Sequence, residues 1–268
     1  MRPLSLHHLS MTEVDPVELV AIAHETGYQH VCLFTEVPAA YGGQFPLARG
    51  AQTIAAIRRR LADAGVSVCN IDFFSLTPEV RVADDRQGLE AGAALGAQSA
   101  TAVVNDTDDA RAITNFAALC TLAREFALRI GLEFMPLSAV KTLAHAERIV
   151  RAAAQPNGAI ALDPLHLVRG GGTPAEVQRL DPALVAYAQI CDGRAGVTEN
   201  YLAEAVGDRA IPGDGEFPLR AYVEALPPGN PLSVEVPLNR LRDQGVSPRE
   251  RARRTLAGTR RVLAASDG

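Results

Sequence analysis

The 268-residue sequence predicts an α/β protein built as a single (β/α)8 TIM barrel. Three observations predict it. Apolar strand-like runs alternate with amphipathic helical stretches eight times. No linker or break in composition interrupts them, so residues 1–268 read as one domain. The doubly wound alternative usually carries a glycine-rich fingerprint after its first strand, and neither G-x-G-x-x-G nor G-x-x-x-x-G-K-[ST] occurs.

LSLHHL at 4–9 forms a short first strand. Asp15 and Pro16 then supply an N-cap and a first helical residue, and that helix turns Leu19, Val20, Ile22 and Ala23 inward before ending near Gly27. HVCLF at 30–34 is the second strand. A helix from about 46 to 64 stops at Gly65, and VSVCNIDFF at 66–74 follows as the third strand. Thr77 and Pro78 open a helix that gives way near Gly96 to SATAVV at 99–104. A helix over 110–127 leads to LRIGLEFMP at 128–136, and one over 141–154 leads to IALD at 160–163. Gly170 to Gly172 let the chain turn tightly there. Thr173 and Pro174 cap a short helix ahead of LVAYAQICD at 184–192. A helix over 218–226, the strand PLSVEVP at 231–237 and a helix from Ser247 and Pro248 to about 265 complete the chain. The stretches 35–46 and 191–216 exceed an ordinary connection and are expected to lie as lids over one face.

An apolar fraction of 47% provides a sizeable core, and with 5% aromatics and no tryptophan that core is aliphatic. Acidic residues outnumber basic ones, 31 to 26, for a net charge of −5, which gives no footprint for a nucleic-acid backbone. The densest basic run, RERARR at 249–254, reads as a solvated helix face. The four cysteines, Cys32, Cys69, Cys120 and Cys191, follow no C-x-x-C spacing and read as buried thiols. No signal-like segment and no 18-residue apolar span is present, so the expectation is a soluble cytoplasmic protein with no membrane partner. A homodimer is open, since no stripe identifies an interface.

In such a barrel, chemistry gathers at the C-terminal ends of the strands. Those ends carry His7 and His8, Glu36, Asp72, Asn105, Glu133, Asp163 with His166, Gln189 with Asp192, and Glu235. Singly, each has an ordinary reading: Asp72 or Asp163 as a cap, Asn105 as a turn residue, His7 as a satisfied histidine. Glu133 and Glu235 stand out because they interrupt apolar strands, in GLEFMP and SVEVP, where an unpaired carboxylate is costly. With Asp163 as a third anion, a divalent cation resolves the repulsion, and a purely hydrogen-bonded cluster is the alternative.

GLEFMP, LDPLH, the strand reaching Gln189 and Asp192, IPGDGEFPL at 211–219 and SVEVP resemble, in order and spacing, the xylose isomerase-like barrel superfamily. The likeness is to the branch labelled sugar phosphate isomerase/epimerase and runs from 16–20 to the end. The resemblance implies one divalent metal held by Glu133, Asp163, Gln189 and Glu235. It sets His166 beside the substrate's hydroxyls and matches Arg194, more weakly, to a basic residue after the seventh strand. Many sugar epimerases have histidine where this chain has Gln189. An all-oxygen set suits manganese or magnesium better than zinc.

The expected reaction is metal-dependent isomerisation or epimerisation of a keto-sugar, cyclic polyol or similar hydroxy ketone through an enediolate. Glu133 and Glu235 serve as the two bases and His166 as the third catalytic group. His7, Glu36, Asp72, Asn105, Asp192 and Arg194 are candidate substrate contacts. If the substrate carries a β-leaving group, the same enolate makes the chain a dehydratase or other lyase, acting on a related hydroxy ketone or glycoside-derived ketone. A non-catalytic binding protein is the second alternative. A metal-dependent nuclease would need more histidines and a basic groove. The GGT stretch at 171–173 is a weak phosphate nest, and Phe34, Tyr41, Phe45, Phe73, Phe74, Phe134 and Met135 read mostly as packing for strands and lids, with a rim apolar enough for a ring as the other reading.

Overall fold

A computed structural model describes residues 2–37, 45–196, 198 and 200–266. Eight strands form a closed parallel barrel: β1 Leu4–His7, β2 His30–Phe34, β3 Ser67–Leu76, β4 Ser99–Val104, β5 Arg129–Glu133, β6 Gly158–Leu162, β7 Val185–Ile190 and β8 Leu232–Val234. Each strand pairs with its neighbour in sequence, and β8 closes on β1 through Leu4 opposite Leu232 and Leu6 opposite Val234. Every residue of β4 and β6 is buried, because one face meets the helices and the other lines the barrel. The two-residue pleat therefore decides which chemistry faces inward. His7 reaches across to Asp72 and Glu235, so Ser5 shares its inward side while Leu4 and Leu6 face the helices.

The outer layer contains α1 Pro16–Thr26, α2 Ala51–Ala64, α3 Arg86–Ala94, α4 Asp109–Arg124, α5 Leu143–Ala153, α6 Pro164–Arg169, α7 Pro174–Arg179, α8 Tyr201–Val206, α9 Leu219–Ala225, α10 Asn239–Asp243 and α11 Pro248–Ser266. The expected cap of α1 forms: the Asp15 carboxylate accepts from the N–H groups of Val17 and Glu18, and Gly27 closes the helix in the left-handed region. On α3, Gly92 is required by close approach, since a Cβ there would stand 2.3 Å from Ile71 Cδ1 on β3.

Four expectations need correction. The helix expected from Thr77 and Pro78 begins only at Arg86, because a turn and a 3-10 segment over Val82–Asp85 intervene. The helix expected from about 46 begins at Ala51. Between IALD and the glycines lies α6, with Pro164 in its first turn and Asp163 as its cap, so the triple glycine ends a helix instead of turning beside Asp163. RERARR is not wholly solvated: Arg251 is 2% exposed and pairs with Glu13, while Arg249 pairs with Glu18 and Glu25.

The Phe34, Phe74 and Phe134 side chains are core, Phe45 packs on Phe34 at 5.0 Å between centroids, and Tyr41 lies outside the described residues, as does 38–44 of the first long connection. The four cysteines are free and buried. Among the described residues, no helix is long and apolar enough to cross a membrane.

The 3-10 segment before α3 carries an unusual acid. Asp85 has its pKa raised to about 7, by burial first and then by Glu36 and Asp84, against the pull of Arg49. A carboxyl whose folded pKa lies above its unfolded value contributes stability below the unfolded pKa and loses it as pH rises through the folded one. Asp85→Asn should therefore raise the melting temperature at pH 8. The gain should be on the order of 2 kcal/mol once solvent screening of this partly exposed group is allowed for, and should vanish near pH 4. Thermal unfolding at the two pH values checks this.

Candidate functional site

The barrel mouth gathers four carboxylates. Glu133 closes β5, Asp163 follows β6, Glu235 follows β8 and Asp72 lies near the middle of the long β3. All four are buried, as are Gln189 on β7 and His7 on β1. Strand geometry accounts for the convergence: parallel neighbours in register bring successive strand ends to one rim, with Gln189 opposite Ser233, two residues before Glu235.

One guanidinium joins two of these acids. Arg209 donates from Nη1 to Asp163 Oδ2 at 2.8 Å and from Nη2 to Glu235 Oε1 at 2.5 Å. Its Nε donates to the Ala205 carbonyl on α8 at 2.8 Å, and the residue is 4% exposed. The second oxygen of Asp163 accepts the Leu165 N–H at 2.6 Å, so Asp163 is both a helix cap and a member of the cluster. Burial works against the Asp163 charge, but Arg209 and His166 outweigh it and hold its pKa below the usual value. At Glu133 the pull of Arg209 is outweighed. Burial, then the charges of Glu235 and Asp163, push its pKa well above the ordinary carboxylate range.

His7 sits between acids. Its Nε2 lies 2.8 Å from Asp72 Oδ2 and 3.3 Å from Glu235 Oε2, while its Nδ1 accepts the Leu9 N–H at 3.1 Å. That acceptor role puts the proton of the neutral ring on Nε2, facing both carboxylates. Burial opposes a second proton and the charges of Glu235 and Asp72 favour it, and the balance lies above the ordinary histidine value. Asp72 Oδ1 accepts from Thr101 Oγ1 at 2.5 Å and from Asn70 Nδ2 at 3.0 Å, and Thr101 in turn meets the Tyr187 hydroxyl. His166, on α6, has its pKa lowered to about 4 by burial, and its Nδ1 lies 2.5 Å from the Tyr201 hydroxyl of α8.

Among the described residues, two groups bring metal-ligating atoms within 4.8 Å of one another: Glu133, Asp163 and His166, and His7, Cys32 and Asp72. The second is tied up internally, since Asn70 donates to Cys32 Sγ and burial, followed by Asp72, keeps that thiol protonated. The donors around the first group suit a divalent ion. Among the described residues Gln189 Oε1 is buried without a hydrogen-bond partner, and Glu133 is a carboxyl whose negative charge burial and its acidic neighbours oppose. A cation with oxygen ligands relieves both.

Other expected site residues lie elsewhere. His8 is a packing residue, with Nε2 2.8 Å from the Val14 carbonyl. Glu36 pairs with Arg49 at 3.1 Å, and Asn105 donates to Ser75 Oγ at the surface. Asp192 accepts the N–H groups of Gly193, Gly213, Gly215 and Phe217, which commits its carboxylate to shaping the loop. A side chain at Gly215 would stand 2.4 Å from it. Arg194 is exposed, and the guanidinium in the cluster belongs to Arg209 instead. At the GGT stretch, the Glu176 carboxylate accepts the Thr173 N–H at 2.7 Å, which places an anion where a phosphate would have to bind. Sequence reading missed Arg209 and Tyr201. The available signal was an arginine flanked by Asp208 and Ala210, just ahead of IPGDGEF.

The comparisons agree on the fold. No curated protein matches the sequence. Among solved structures, a xylose isomerase-like TIM barrel/4-hydroxyphenylpyruvate dioxygenase fusion protein superposes with a TM-score of 0.83 at 19% identity, over 99% of this chain and 43% of that one. This chain thus spans less than half of the fusion protein. The IolI protein, crystallised with a bound zinc atom, gives a TM-score of 0.81 at 17% identity, over 98% of this chain and 99% of that one. The probable 3-DHS dehydratase AsbF of Bacillus anthracis gives 0.74 at 16% identity, over 96% and 98%. A family model described as xylose isomerase-like TIM barrel matches residues 20–262. The chain belongs to the xylose isomerase-like TIM barrel family.

Proposed function

We propose that the protein is a divalent-metal-dependent enzyme that removes the proton beside the carbonyl of a hydroxy ketone, as an isomerase acting on a keto-sugar or cyclic polyol-derived ketone. The observation that carries this reading is Glu133: a buried carboxylate with a strongly raised pKa, at a strand end, close to Asp163 and His166. Glu133, Asp163, Gln189 and Glu235 would hold the ion, with manganese or magnesium suited to an all-oxygen set. When bound there, such an ion would supply Lewis-acid polarisation of the carbonyl and a counter-charge for the developing enolate. Glu133 takes the proton from the α-carbon and returns it to the carbonyl carbon, while the proton of the α-hydroxyl passes to the former carbonyl oxygen. His166 and Tyr201, hydrogen-bonded to each other, orient the hydroxyl groups.

Inversion by epimerisation requires two bases on opposite faces, and the second would have to be Glu235. Glu235 is held on one oxygen by Arg209 and approached on the other by His7, so its basicity is already engaged. A single base favours a proton shift along one face, or an elimination. The second reading is therefore a dehydratase. Glu133 removes the α-proton, the bond from the β-carbon to its hydroxyl breaks, and the His166–Tyr201 pair supplies the proton that lets the hydroxyl leave as water. The dehydratase similar in fold supports keeping this reading.

Glu133→Gln should lower turnover by roughly 10²- to 10⁴-fold and stop exchange of the substrate's α-hydrogen with solvent deuterium. Full exchange in this variant would remove Glu133 as the base. With the wild-type protein in deuterated water, mass spectrometry of the product separates the two reactions. An isomer keeps the substrate's mass apart from incorporated deuterium, whereas elimination yields a product lighter by one water.

A further inference from the structure

We propose that Arg209 is the resident cation of the ligand cluster and that it competes with the divalent ion for Asp163 and Glu235, setting how tightly the ion is held. This rests on the metal-dependent reading above. Three features of Arg209 carry it. The guanidinium bridges two of the four expected ligands, with one nitrogen on each. It is fixed from behind, because Nε donates to the Ala205 carbonyl and the Arg209 main-chain N–H donates to the Pro237 carbonyl. It is also buried, so water does not screen its charge.

The oxygens of the two bridged acids are already in use. Asp163 gives one to Arg209 and the other to the Leu165 N–H, while Glu235 gives one to Arg209 and has the other beside His7. Among the described residues Gln189 Oε1, by contrast, has no hydrogen-bond partner, and at Glu133 the pull of Arg209 is outweighed by burial and by the charges of Glu235 and Asp163. A divalent ion therefore finds half of its ligand set waiting and half shared with a positive charge that cannot retreat to solvent. Repulsion between the two cations weakens the ion's binding, and the same guanidinium keeps the ion-free cluster from repelling itself apart. The protein gains a site that is stable when empty and holds its ion reversibly.

The test uses chelator-stripped full-length protein titrated with Mn²⁺ by calorimetry, comparing wild type with Arg209→Gln and Arg209→Lys. Glutamine removes the charge and keeps hydrogen-bonding capacity. Lysine keeps a point charge that cannot span both carboxylates. The expected order of Mn²⁺ affinity is glutamine, then lysine, then wild type, with the glutamine variant roughly tenfold tighter or more. Without metal, the glutamine variant should melt below wild type, and saturating Mn²⁺ should raise its melting temperature by more than it raises that of wild type. Equal or weaker Mn²⁺ binding in the variants overturns the proposal while leaving the metal site standing. If the glutamine variant does not fold, the lysine comparison decides by the same criterion. No Mn²⁺ bound by any of the proteins removes the metal reading and this inference together.

Discussion

The burial of like charge at the mouth of the barrel is the constraint on which the rest of the site depends. Asp72, Glu133, Asp163 and Glu235 are each less than a tenth exposed, and Arg209 is the guanidinium bonded within their cluster. Isolated buried carboxylates are too costly to keep, so each must find a donor, a proton or a cation. Asp163 and Glu235 find Arg209, Asp72 finds Thr101, Asn70 and the proton on His7, and Glu133 is left to be protonated or to meet a cation. A base that is unwilling to hold its charge is what proton abstraction beside a carbonyl requires.

The surrounding elements serve that arrangement. α6 exists because Asp163 caps it, and the same helix presents His166 to Tyr201. Arg169, later on α6, donates to Glu204 from Nε and Nη2, to the Arg194 carbonyl from the same Nη2 and to the Gly196 carbonyl from Nη1, holding the segment after β7 against the mouth. α8 in turn supplies the carbonyl that fixes Arg209. Asp192 shapes the next turn by accepting four main-chain N–H groups. One stretch after β7 thus ties the substrate side and the charged cluster together.

Much of this was legible in the sequence. Strands buried on both faces read as unbroken apolar runs, so β4 and β6 announce themselves, and an acid interrupting such a run, as at Glu133 and Glu235, reads as a site residue. The beginning of α3 and the whole of α6 were not legible, because a Thr-Pro or Asp-Pro pair marks a turn as readily as a helix start. Arg209 escaped for a different reason. Its partners lie 46 and 26 residues away, and only closure of the barrel brings them within reach. Asp192 and Asn105 hold loop groups in the structure, a bond to the local chain that their place after a strand does not distinguish from a bond to a ligand.

The most direct test of a metal-centred site is elemental analysis of protein purified without chelator or added metal, alongside Asp163→Ala. A cation-dependent cluster predicts about one divalent ion per chain in the wild type and its loss in the variant. No metal in the wild type, even after incubation with Mn²⁺, would contradict it and leave the carboxylates as a hydrogen-bonded network organised by Arg209 and His7 alone.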